Sequence, residues 1–180
     1  MELRLDKITL RDYQMLDWKR VHIYASVEEF SRFDAWGPNT ESDSISFVEE
    51  MIKSQNEVPR KDYNYAIIDN SEKLLIGGCS LRMEGPRSNI AMFGYAVNPK
   101  YQGRGVATDA TQAILRIAFE KLKLSVVYAT CDIENTASYK VMEKCGLKRV
   151  GEYKAKRTFK GRVSDEFRYE MTKEDYAKLS

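Results

Sequence analysis

Between an apolar run ending at Val97 and a helix-forming stretch beginning at Val106 lies Gln102-Gly103-Arg104-Gly105-Val106-Ala107-Thr108. A helix start carries unpaired N–H groups and about half a positive charge, so it attracts phosphate. Glycines just before it remove the Cβ atoms that would hold an anion away from the backbone. Arg104 adds a charged fork of donors for the same phosphate. A tight strand-to-helix turn needing positive φ would ask for the same two glycines, so both readings stand. Two nucleotide chemistries fail on spacing. A Walker loop needs Lys-Ser/Thr after its last glycine, and Val106-Ala107 follow here. A dinucleotide fingerprint would run Gly103-x-Gly105-x-x-Thr108, without its third glycine, and Asp132 comes 27 residues after Gly105 where roughly 20 is usual. The chain beyond Cys131 is also too short for the second half of a doubly wound sheet.

A second polar pair, Asn135 and Ser138, opens "NTASYKVMEKCG" (135–146), which reads as a helix capped by Asn135 and stopped by Gly146. Other reactive residue types are sparse. Cys79, Cys131 and Cys145 lack C-x-x-C spacing and His22 is the single histidine, so neither a zinc site nor a disulfide framework is expected. Without a histidine beside them, Cys131 and Cys145 read as packed apolar residues rather than nucleophiles. The net charge of +2 gives no case for nucleic acid or a membrane surface, and neither is expected as a partner. Charge is uneven, however: residues 1–57 carry 12 Asp/Glu against 7 Lys/Arg. Glu28, Glu29 and Asp34, beside Phe33, Trp36 and Pro38, could draw a cation against an apolar wall. A solvated acidic face beside a packed Trp36 has the same sequence. Glu84, Asp132 and Glu134 read as solvated turn carboxylates.

The elements that must carry these residues follow from periodicity. Leu3, Leu5 and Ile8 suggest a first strand. Thr9-Leu10-Arg11-Asp12 reads as a capping box opening a helix with Tyr13, Leu16 and Val21 on one side, and Thr40-Glu41-Ser42-Asp43 as a second box before Ile45, Val48, Met51 and Ile52. Residues 32–40 form a loop broken at Gly37-Pro38. Residues 63–69 and 74–83 read as a hairpin, 84–88 as a turn and 89–97 as a further strand. Ala107, Ala110, Thr111, Ile114, Ile117 and Ala118 give the helix after the glycines its apolar stripe. A strand over 125–131 and a closing hairpin around Lys160-Gly161 complete the chain, with Phe167, Tyr169 and Met171 alternating at period two. The sum predicts an α+β fold: a mostly antiparallel central sheet flanked by helices, with one strand–helix–strand crossover holding the glycines. No linker divides the chain, so 1–180 is expected to be one domain. The first 13 residues lack the apolar core of a signal peptide and no run of about 18 apolar residues occurs, which makes the cytoplasm the expected place.

Gln102-x-x-Gly105-x-Ala107, after "GYAVNPKY" and before a helix, resembles the Q/R-x-x-G-x-G/A signature of the GNAT superfamily of N-acetyltransferases. "NTASYKVMEKCGLKRVG" (135–151) is similar to the superfamily's asparagine-led helix, and "RFDAWGP" with "GYAVNPKYQGRGVATDA" is similar to the Rim-type members that act on protein N-termini. The resemblance implies a GNAT-like fold and acetyl-CoA as donor, with its pyrophosphate on the N–H groups of Gly103, Arg104, Gly105, Val106, Ala107 and Thr108. It implies pantetheine pairing with the strand ending at Val97, an oxyanion N–H near Ala96 and Val97, and Asn135 near the sulfur. Many relatives have a tyrosine as acid where Met142 stands here. Ser138 matches the Rim-type serine and is the acid candidate, though a helix-interior serine would look the same. The Glu found two residues before "GY" in Rim-type sequences is Met92 here. The implied activity is acetyl transfer to a primary amine by direct attack in a ternary complex, the acceptor being a peptide N-terminus, a polyamine or an antibiotic-like amine held near Trp36 and Glu28. A catalytically silent module that binds CoA is the alternative.

Overall fold

The computed structural model describes residues 2–85 and 88–179, so Pro86 and Arg87 of the expected 84–88 turn lie outside it. Among the described residues eight strands form one sheet: β1 (Glu2–Arg4), β2 (Ile8–Arg11), β3 (Asp62–Asp69), β4 (Leu75–Met83), β5 (Ile90–Val97), β6 (Val126–Asp132), β7 (Lys148–Phe159) and β8 (Arg162–Thr172). Their order is β1-β2-β3-β4-β5-β6-β8-β7. Neighbours run antiparallel except β5 and β6, which are joined by the crossover helix α3 (Val106–Arg116). Two further helices, α1 (Trp18–Ala25) and α2 (Glu41–Gln55), precede β3; α4 (Thr136–Lys144) follows β6, and the short α5 (Lys173–Ala177) ends the chain.

Helices cover both faces of the sheet, which is why central strands are buried on both sides. Asn64, Tyr65, Ala66 and Ile67 of β3 are all buried. One core joins the sheet to α3 and α4 through Leu10, Ile67, Leu81, Phe93, Ile114 and Met142. A second lies under α1 and α2, with Tyr13, Val21, Tyr24, Val48, Met51 and Ala66. Each fully buried Ile or Leu in these clusters contributes on the order of 1.5–3 kcal/mol.

Most expected elements are present, and α2 opens on its capping box: Thr40 Oγ1 accepts from the Asp43 amide and Thr40 N–H donates to Asp43 Oδ2. The Thr9–Asp12 box is not one. Thr9 and Arg11 lie in β2, paired with Ile68 and Ala66, and the Thr9 hydroxyl donates to Asn70. Alternating burial at Ile8 and Leu10 won over the cap pattern. The box that does form is Gln14–Asp17, at a 3-10 turn leading into α1.

The sheet parts between β5 and β6. Their parallel ladder pairs only Ile90, Ala91 and Met92 with Val126, Val127 and Tyr128. Beyond that point β5 stays on β4, from Ala91↔Met83 to Val97↔Gly77, while β6 stays on β8 out to Asp132↔Glu166. The strands splay into a V whose open end faces the glycine loop.

Candidate active site

The loop after β5 is bare, as the two glycines suggested. Gly103 and Gly105 sit at φ +73° and +86°, where a side chain is strained. A Cβ on Gly103 would meet no heavy atom within 4 Å, and one on Gly105 only Lys7 Nζ at 4.0 Å. The turn geometry and the open cradle therefore hold together. Gly105 is also the N-cap of α3, so no side chain caps the helix, and its first amides remain for an anion. Lys7, on the turn between β1 and β2, adds a cation to the same spot. Arg104 stacks over the Tyr101 ring at 5.0 Å. Gln102 ties the loop back to the strand, its Nε2 donating to the Val97 carbonyl at 3.0 Å.

In the V, backbone polarity follows the antiparallel alternation. Asn98 N–H donates to Ile76 O on β4, so Ala96 faces β4 as well, whereas Tyr95 and Val97 turn their amides toward the parting. Of the two residues expected to offer an oxyanion N–H, Val97 has the open one. Across the V, Asn135 caps α4 by accepting from Ser138 N–H at 3.1 Å. The Tyr95 hydroxyl donates to Ser138 O at 2.9 Å and lies 3.2 Å from Ser138 Oγ. Burial pushes the Tyr95 phenol up to about 12, against the Ser138 hydrogen bond. Burial likewise takes the Cys131 thiol up to about 12, opposed by a hydrogen bond from Ser138. Such thiols stay protonated and are no nucleophiles at neutral pH.

On the α1/α2 face, a cavity of about 920 Å³ opens over β3, β4 and β5. Its floor includes Gly78, Ser80, Gly94 and Ala96, small residues that leave depth, and its wall carries Tyr24, Phe30, Trp36 and Phe47. Asp34, Asp43 and Glu50 supply negative charge, and Tyr95 borders both cavity and V. Aromatic faces beside carboxylates suit a cation. Phe30 packs edge-on to Trp36 and at a tilt to Tyr24, which fixes the wall.

A family model described as the acetyltransferase (GNAT) domain matches residues 7–148. The chain belongs to the GNAT acetyltransferase family. YnaD of Bacillus subtilis, an uncharacterized N-acetyltransferase, is 30% identical over 98% of this chain and 99% of its own. The crystal structure of a GNAT-family acetyltransferase from Bacillus anthracis superposes with a TM-score of 0.86 at 31% identity, covering 97% of this chain and 99% of that one. The spermidine N-acetyltransferase of Vibrio cholerae, solved with CoA and spermine, has a TM-score of 0.81 over 95% and 98% of the two chains. At 22% identity that likeness is one of fold. The chain is thus an acetyl-CoA-dependent N-acetyltransferase by family.

Within this GNAT chain the residues singled out from sequence fall into distinct places. Gln102 through Thr108 form the glycine loop and the first turn of α3, with Val106 and Thr108 buried; Val97 ends β5 beside the parting, and Asn135 caps the turn whose Ser138 meets Tyr95. Trp36 lies in the cavity wall. Glu28 is exposed on a 3-10 turn and is not among the lining residues, whose carboxylates are Asp34, Asp43 and Glu50. Phe33 sits between Arg32 and Arg162, at 5.2 and 5.7 Å, outside the lining. Asp132 is no solvated turn residue: it is 2% exposed, accepts from Ser164 and pairs with Arg162 at 2.9 Å. Arg162 also pairs with Glu134. His22 bonds Ser44. Sequence reasoning missed Tyr95 and Lys7. Tyr95 alternates with Phe93 and Val97 and so looks like core; Lys7 is nearly 100 residues from the loop and carries no local signal. Among the described residues no helix is long and apolar enough to cross a membrane.

Proposed function

We propose that this acetyltransferase moves an acetyl group from acetyl-CoA to a primary amine by direct attack in a ternary complex. The observation that carries the reading is the parting of β5 from β6 after Met92: the stretch of β5 that leads to the glycine loop has no partner on that side, and its Gly94, Tyr95 and Ala96 line an acidic, aromatic cavity. Acetyl-CoA supplies an activated thioester, and the cradle before α3 has the room and charge its diphosphate needs. Val97 N–H is the donor for charge on the carbonyl oxygen, in a slot drier than water where such a bond counts most. Ser138, in the first turn of α4, is the hydroxyl for the departing sulfur, and Asn135 holds that turn in place. Trp36 and its aromatic neighbours, with Asp34 and Glu50, gather a cationic acceptor: a peptide N-terminus, a polyamine or an antibiotic-like amine.

The amine must be neutral to attack. An α-amine, of pKa about 7.7–8.0, is partly neutral near physiological pH, whereas a lysine side chain at about 10.4 is not. Met92 lines the cavity where a carboxylate base would stand in Rim-type relatives, which favours an acceptor that needs little help. Met92 also sustains a second reading, a module that binds CoA without turnover. Incubation with acetyl-CoA and a panel of amines, following free thiol, separates the two. Thiol release that requires an added amine supports the enzyme; tight CoA binding with no release on any acceptor supports the silent module.

A further inference from the structure

Tyr95 has an unusual placement for a residue that alternates with core positions. Its ring packs beside Phe93, centroids 6.4 Å apart, and a phenylalanine would fill that space equally well. The added hydroxyl is costly to bury unless bonded, and both of its contacts go to one residue, Ser138. One of them is exchangeable. The Ser138 carbonyl lies inside α4, where helical bonding already gives it the Met142 N–H as partner. The phenolic proton can therefore turn from that carbonyl to Ser138 Oγ without stranding an acceptor. Serine then has its own proton to give elsewhere. Cys131 is the other group within its reach, and its thiol is a weak acceptor.

We infer that Tyr95 is a positioning residue for the donor sulfur: its hydroxyl donates to Ser138 Oγ and so aims the serine O–H into the V at that atom. This rests on the donor reading given above. The chain Tyr95 O–H to Ser138 Oγ–H to sulfur polarises along its length, so the serine becomes a stronger donor than it is alone. The bond lends no proton permanently. When the carbon–sulfur bond breaks, its electron pair goes to sulfur and Ser138 holds that charge by hydrogen bonding. The neutralising proton is the one lost from the acceptor nitrogen, carried by water, so amine and thioester become amide and thiol. Met142, at the position of the tyrosine acid in many relatives, is 1% exposed and turned into the core. The phenol arrives here from β5 instead of α4.

The test compares CoA with desulpho-CoA, the same molecule without its sulfur, by calorimetry at about pH 9, where more of the thiol is thiolate than at neutral pH. The unaltered protein should bind CoA about tenfold more tightly than desulpho-CoA, the scale of one charge-assisted hydrogen bond. Tyr95→Phe should cut that preference to about threefold or less, Ser138→Ala should do the same, and the double variant should lose no more than either alone. Desulpho-CoA affinity should stay within twofold throughout. An unchanged preference in Tyr95→Phe overturns the inference, as does an equal loss for both ligands, which marks a structural role. Should Tyr95→Phe not fold, an unchanged preference in Ser138→Ala overturns it by itself. If the unaltered protein binds neither ligand, the donor reading falls first and the inference with it; binding of both without preference removes the inference alone.

Discussion

The two sides of the cleft are built by opposite means. In the function proposed above, the donor side is mostly backbone from one short stretch, 95–108, closed by the first turn of α4. The acceptor side is assembled from side chains on α1, the 28–39 segment, α2, β3, β4 and β5. On that proposal diphosphate and pantetheine are the same in every turnover, so amides and glycines would suffice to hold them. Acceptors differ in shape and charge, and only side chains can be varied to match. The donor side should therefore fail abruptly when its backbone is disturbed, and the acceptor side by degrees.

The sharpest test of that contrast is Gly105→Val. At φ +86° a branched side chain is strained, and its methyls enter the cradle opposite Lys7. Acetyl-CoA affinity should fall by about 100-fold or more, as expected when a phosphate loses its amides. Calorimetry reads the loss, and a thermal melt shows that the fold survives with a lowered Tm. Normal binding would end the donor assignment.

Next in size is the cavity floor. A Cβ on Gly94 would make only an ordinary 3.6 Å contact with Ser80 Oγ, so Gly94→Ala should behave as the unaltered chain. Gly94→Leu fills the depth and should raise KM for the amine about tenfold, the scale of a few misplaced methylenes, with CoA affinity within twofold. If CoA binding fell equally, the two sides would not be separable. A smaller effect belongs to Lys7→Gln, which removes one exposed cation from the cradle. Acetyl-CoA affinity should drop about threefold at low salt, and the deficit should shrink near 1 M salt as screening erases it.

The same contrast explains what could be read from the chain in advance. Contiguous features were legible: the glycine loop, the α3 stripe, the Asn135 cap, the Thr40 box and the single parallel crossover. Each depends on neighbours within a few residues, where chain order and geometry agree. The acceptor wall was legible only where the loop around Trp36 is itself local. Asp43 was readable only as half of the Thr40 cap and Glu50 carried no signal of its own, because nothing in α2 reveals that one of its faces turns toward the cavity over β4 and β5. Glu28 and Asp34 are equally acidic, and only the tertiary fold puts Asp34 on the lining and leaves Glu28 outside. Thr9 failed for another reason: a cap pattern and a half-buried strand share the same residues, and pairing with β3 decided it. Asp132 failed because its partner Arg162 comes 30 residues later across a strand pair.

The smallest effect tests whether α2 is a support for the acceptor side alone. Asp43 lines the cavity, and its carboxyl lies below the usual carboxylate range because the Thr40 hydroxyl and then the Thr40 amide donate to it. A carboxyl depressed in the folded state adds stability above its unfolded pKa of about 3.9 and loses it as pH falls through the folded value. The cap is therefore complete at neutral pH and weakens only in acid. Thr40→Val removes the hydroxyl while keeping the bulk. It should lower Tm by roughly 2–4 °C at pH 7, the usual cost of a lost helix cap in a chain of this size. The gap to the unaltered protein should begin to narrow below about pH 4 and close only as pH falls through the lowered folded value of Asp43, where the carboxyl is protonated in both. KM for the amine should rise less than about twofold, since the cap lies one turn from the wall, and CoA affinity should not change. A CoA effect as large as the amine effect would mean that α2 braces both sides, and the division between backbone-built and side-chain-built halves would have to be redrawn.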